Sequence, residues 1–139
     1  MQSIIKLSDA DKDMLLSSLP IIRENLDLFV IKFYSYFLKT DAGRLFKDTA
    51  METQYRMFHS SLGIIITHIE HPALLEDHLR HLLRNHGKYG VLTSDLDLFI
   101  DSFMEALQDI YKDQFSTYRD IWFNLINDIM VYFAEGLQN

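Results

Sequence analysis

The sequence predicts an all-α fold, on three observations. Only two prolines and five glycines interrupt 139 residues, apolar side chains recur three and four positions apart, and no stretch alternates with period two for long enough to make a strand. Ser8 followed by Asp11 is a helix-start signal, and the pattern from Asp9 runs to about Asn25 with a kink expected at Pro20. A second helix covers Leu26 to Lys39 and buries Phe29, Phe33 and Phe37. Thr49 with Glu52 three residues on reads as a capping box that opens a long helix to about Ile69. Pro72 suits the first turn of the next helix, which carries His86. After Ser94, the positions Leu96, Phe99, Ile100, Phe103, Met104, Leu107 and Ile110 keep a helical period. Ser116 or Thr117 is expected to open the last helix, with Ile121, Trp122, Leu125, Ile126, Ile129, Met130 and Phe133 as its buried face.

The length fits one compact domain, residues 1–139, and 48% apolar with 13% aromatic residues can build a sizeable core. Thirteen basic against twenty acidic residues give a net charge of −7, which disfavours nucleic acid and anionic lipid as partners. Without cysteine there is no disulfide, thiolate nucleophile or thiolate metal ligand. The longest apolar runs, such as Leu62 to Ile66, are too short to cross a bilayer, and Met1 to Leu7 does not resemble an export signal. A cytoplasmic location is the expectation.

The residues with chemistry begin with an apolar stripe. Leu75, Leu79, Leu82 and His86 follow in steps of four, three and four, so the imidazole is expected to point into the core with the leucines. A histidine there is more often a packed core residue than a ligand, and spacing alone leaves both readings open. Most of the ten phenylalanines belong to packing, yet Phe46, Phe58, Phe99 and Phe103 fall on separate segments and together can line a flat apolar pocket. Tyr34 and Gln54 are the candidate polar groups for its centre. A lone Tyr or Gln on such a face can equally bond only to backbone.

In order and spacing these residues resemble the single-domain bacterial globins related to flavohaemoglobins. The resemblance is carried by Leu19-Pro20-Ile21-Ile22-Arg23-Glu24-Asn25, the Phe33-Tyr34 pair, Leu45-Phe46, Gln54, Leu62-Gly63 and His86 through Val91, with Gln54 preceding His86 by 32 residues. It implies a globin fold, helices packed three over three around a pocket for haem b, with His86 as the proximal iron ligand. It further implies that Tyr34 and Gln54 donate hydrogen bonds to a bound ligand, that Phe46 wedges the haem and that Phe58 overhangs the ligand side. Leu82, Val91, Leu96, Phe99, Phe103 and Ile126 would complete the walls. His59 lies only 27 residues before His86, beside Phe58, and is the weaker candidate for the ligand side. His68, His71, His78 and His81 include pairs spaced for zinc but sit among charged neighbours, so a solvated face is the better reading. Arg80, Arg84, Lys88 and Tyr89 flank the proximal helix as candidates to meet a haem propionate.

The chain also departs from that family. The link from Tyr34 to Phe46 is about two residues short and has Thr40-Asp41-Ala42-Gly43 where a proline is usual, so distortion is expected just before Phe46. A proximal relay of tyrosine and glutamate is replaced by Leu96 and Gln138. His86 should then donate mainly to a backbone carbonyl, which disfavours peroxidase-type chemistry. Two polar donors facing a diatomic ligand would hold dioxygen tightly, with carbon monoxide responding less, and this suits scavenging or reaction with nitric oxide better than bulk transport. The implied reaction is dioxygenation of nitric oxide to nitrate, with an external reductase because no flavin or nicotinamide domain is expected. The alternative is a haem-based gas or redox sensor acting through a separate partner protein. A globin-fold interaction domain without haem is a third reading, against which His86, Tyr34 and Gln54 argue.

Overall fold

A computed structural model describes residues 3–86 and 90–137. It contains six α-helices and, among the described residues, no strand, as the all-α reading requires. The helices are α1 (Asp9–Glu24), α2 (Leu26–Phe37), α3 (Met51–Thr67), α4 (Pro72–His86), α5 (Thr93–Tyr111) and α6 (Phe115–Leu137), with short 3₁₀ segments at Asp41–Phe46 and Lys112–Gln114. The most extensive contact is α2 across α5, and α5 packs along α6. The first helix lies on α5 and α6, while α3 rests on α2 and α4 bridges α3 to α6. Helices α3 and α4 therefore overlie the α2, α5, α6 group, and the candidate residues come from both sides.

Each helix begins where local chemistry allows. The Ser8 hydroxyl accepts the Asp11 N–H at 3.1 Å, which caps α1 as expected, and the helix continues through Pro20. The expected cap at Thr49 is not used. Its N–H is spent on the Phe46 carbonyl at 3.1 Å, so the chain enters α3 one residue later, at Ala50, without a side-chain cap. Pro72 occupies the first position of α4, and the preceding His71 carbonyl accepts the Leu75 N–H at 3.1 Å. Neither Ser116 nor Thr117 opens the last helix: the 3₁₀ turn hands the chain directly to Phe115.

The core is continuous. All seven residues expected on the inner face of α6 are buried, as are Phe29, Phe33 and Phe37 on α2. A polar knot crosses it: Tyr111 donates to the Ser18 carbonyl at 2.8 Å, and Trp122 Nε1 donates to Ser18 Oγ at 3.0 Å. Those bonds satisfy polar groups that burial would otherwise penalise. No described helix is long and apolar enough to cross a membrane.

Candidate functional site

Helix α2 presents Phe33, Tyr34 and Phe37 to the interior because each lies three or four residues from the next buried position on that face. Helix α3 brings Gln54, Tyr55 and Phe58 over them, and α5 brings Phe99 and Phe103 from below. The result is one aromatic cluster. Phe33 stands at its centre, with ring centroids 4.8 Å from Phe58, 4.9 Å from Phe99 and 5.0 Å from Tyr34. Phe46 meets Tyr34 edge-on at 5.7 Å and Phe37 at 5.8 Å, which joins it to the same cluster. Phe103 turns toward Phe29 at 4.8 Å and Trp122 at 6.0 Å, so it belongs as much to the core as to the pocket.

Tyr34 is the polar centre. It is 2% exposed, and its hydroxyl accepts a hydrogen bond from Gln54 Nε2 at 2.9 Å. Burial pushes its pKa up to about 12 against the opposing pull of Gln54, so the phenol is neutral at ordinary pH. As the acceptor in that bond, Tyr34 keeps its own proton to offer elsewhere. Gln54 thus acts first on Tyr34, an order that spacing along the chain did not reveal. Tyr55 was not anticipated either. Its ring lies 5.2 Å from that of Tyr34, and the signal was its place next to Gln54 on a helix whose neighbouring face was already assigned.

His86 corrects one expectation. Leu75 and Leu79 are buried, Leu82 is half-buried, and His86 is exposed, because the stripe reaches the margin of the core at the last turn of α4. Its ring lies 6.0 Å from Phe133 on α6. Its Nδ1 is 2.8 Å from the Leu82 carbonyl oxygen. A carbonyl only accepts, so Nδ1 carries the proton and Nε2 is the nitrogen with an electron pair for a metal. This is the backbone-bonded histidine expected when no tyrosine and glutamate polarise it. Close packing steadies that turn, since a Cβ on Gly136 would lie 2.3 Å from Leu83 Cδ2.

The other assigned wall residues divide by burial. Leu96 and Ile126 are buried, and Val91 and Phe99 are half-buried against the core. The rival His59 points away: its Nε2 meets the exposed Asp27 carboxylate at 2.9 Å. His78 bonds Ser61 Oγ at 2.9 Å, His68 bonds the Ile64 carbonyl at 2.9 Å, and Asn85 Nδ2 reaches His81 Nε2 at 3.1 Å. No group of three or more His, Asp or Glu able to hold a bare metal ion occurs among the described residues. Arg80 pairs with Asp77 at 2.8 Å and Glu76 at 3.6 Å on its own helix. Lys88, Tyr89 and Gln138 lie outside the described residues.

The donor set fits haem. A single imidazole can hold a metal only if the metal brings further ligands with it, as porphyrin iron does, and the aromatic cluster supplies the apolar, flat-faced surroundings a porphyrin needs. No curated protein matches the chain in sequence. The globin family model matches residues 31–132, a span that contains every assigned site residue from Tyr34 to Ile126. The chain therefore belongs to the globin family, and haem and small-ligand binding such as that of dioxygen follow from that membership.

Proposed function

We propose that this globin holds haem b through His86, binds dioxygen beside Tyr34 and Gln54, and oxidises nitric oxide to nitrate with electrons from a separate reductase. The observation that carries the reading is the buried Tyr34 hydroxyl, which accepts the Gln54 amide proton and keeps its own for a ligand. Without cysteine no thioether-attached haem can form, which supports a non-covalent group such as haem b. When bound, haem supplies an iron with one coordination position open to a diatomic molecule.

The chain's own residues do the rest. Nε2 of His86 is the ligating atom, and the Nδ1 bond to Leu82 fixes the tautomer and the ring's rotation. Tyr34 donates to whichever ligand develops negative charge, and Gln54 polarises that hydroxyl while holding its position. Phe46, Phe58 and Phe99 keep water from the centre, which strengthens each donor. The overall change combines one nitric oxide, one dioxygen and one electron into one nitrate, so every turnover draws an electron from outside. A backbone-bonded histidine gives little electron push, so peroxidase activity is weak in this account.

Stopped-flow mixing of the dioxygen-loaded protein with nitric oxide tests the reading. One fast turnover is expected, no sustained turnover with NADH alone, and continued turnover once a reductase is added. Repeated turnover with NADH alone would contradict the need for a partner. A slow first turnover would overturn the dioxygenase reading in favour of a sensor.

A further inference from the structure

Phe46 stands at the end of a six-residue 3₁₀ segment, a form with poorer backbone hydrogen bonds than an α-helix, so other contacts must fix it. Thr40 Oγ1 accepts the Ala42 N–H at 3.2 Å at one end. In the middle, Arg44 donates to the Asp41 carbonyl at 2.9 Å and to both oxygens of Asp95 at 2.8 and 2.6 Å. The Asp95 side chain is 3% exposed, and its Oδ2 also accepts the Leu92 N–H at 2.9 Å. Arg44 and the Leu92 amide hold the carboxyl below the usual carboxylate range despite its burial. One carboxylate therefore ties three parts of the chain together. These are the segment that carries Phe46, the start of α5, which carries Leu96 in its first turn and Phe99 in its second, and the residues just before that helix at Val91 and Leu92.

From this junction we infer that Arg44 and Asp95 are positioning residues, bracing the Phe46 side of the pocket against the wall residues Val91, Leu96 and Phe99. They act through Phe46, which leans on Tyr34, and through Leu92, whose neighbour Val91 is a proposed wall residue. A planar fork on a carboxylate fixes orientation as well as distance, which suits a brace between two walls. The inference rests on the proposed haem site. If the ion pair served only to cap α5, its loss would loosen the start of that helix and leave ligand behaviour alone.

Two measurements on the protein as purified separate these cases. In Arg44→Gln, backbone amide exchange over residues 42–47 and at Leu92 should quicken about tenfold, with α2 and α6 unchanged. The same variant should release haem to an excess of acceptor apoprotein about fivefold faster and release dioxygen faster, with carbon monoxide little affected. Asp95→Asn keeps an acceptor for the Leu92 amide but weakens the fork, so it should reproduce the loss. Arg44→Lys offers a single point contact and should recover only part of it. Unchanged exchange at 42–47 would overturn the brace. Faster exchange with unchanged haem and dioxygen release would also overturn it, reducing the pair to a helix cap. Absence of a haem absorption band in the unmodified protein would sink the haem reading by itself, and the exchange result would then still decide whether the brace holds the segment.

Discussion

At the scale of single residues, the proposed function rests on Tyr34 and Gln54, two side chains that share one hydrogen bond. A charge-assisted bond to a ligand contributes about 1.5 to 3 kcal/mol, so Tyr34→Phe should speed dioxygen release by roughly one to two orders of magnitude. Gln54 donates to Tyr34, so Gln54→Leu should have a smaller effect, and the double variant should match Tyr34→Phe alone. Ligand dissociation measured after flash or rapid mixing checks this. Independent, additive effects would mean that both groups reach the ligand directly. The same burial has a consequence for stability. Tyr34 and Tyr111 are both pushed by burial to about 12 from an ordinary 10, so the fold favours their neutral forms. Their contribution is full below pH 10 and is lost as pH rises from 10 through 12, roughly 2 to 3 kcal/mol for each. Urea unfolding across that range should show the decline, and Tyr34→Phe should make it shallower. An equal decline in both proteins would contradict the assignment of a buried phenol.

At the scale of elements, the segment before Phe46 shows what the sequence could and could not convey. The missing proline suggested distortion, yet the chain forms an ordered 3₁₀ segment there. Gly43 makes this possible: a Cβ at that position would lie 2.3 Å from the Leu38 carbonyl oxygen, a backbone atom that cannot swing aside. Gly43→Ala should cost about 1 to 3 kcal/mol through overpacking and should displace Phe46 from Tyr34. Thermal unfolding reads the first effect and dioxygen release the second. A stable variant with unaltered ligand release would show that the segment does not position the wedge. Capping was legible where a side chain was available, as at Ser8, and misread at Thr49, where a turn bond to Phe46 had already taken the backbone donor. Such competition is decided by the path of the preceding turn. Local pattern does not encode it.

At the scale of the whole molecule, helical periodicity carried most of the fold, since most residues expected on an inner face are buried and the others, His86 apart, are half-buried against the core. Periodicity locates a face but not its margin, which is why His86 was expected inside and stands exposed at the end of its stripe. The resemblance made it legible that Phe46 and Phe58 group beside Tyr34 and that Phe99 joins them through Phe33 and Phe58. The junction at Asp95 was not, because Arg44 and Asp95 are 51 positions apart and each is unremarkable in its own segment. Pairings of that kind follow from how helices cross, which only the folded chain fixes.

If these helices form a globin pocket in which His86 holds haem, the purified protein must take up haemin. Titration of the purified protein with haemin, followed by absorption spectroscopy, tests it most directly. Uptake should saturate at one haem per chain with an intense Soret band, and His86→Ala should bind haem weakly or not at all. No Soret band in the unmodified protein, or an unchanged histidine-ligated spectrum in His86→Ala, would contradict it.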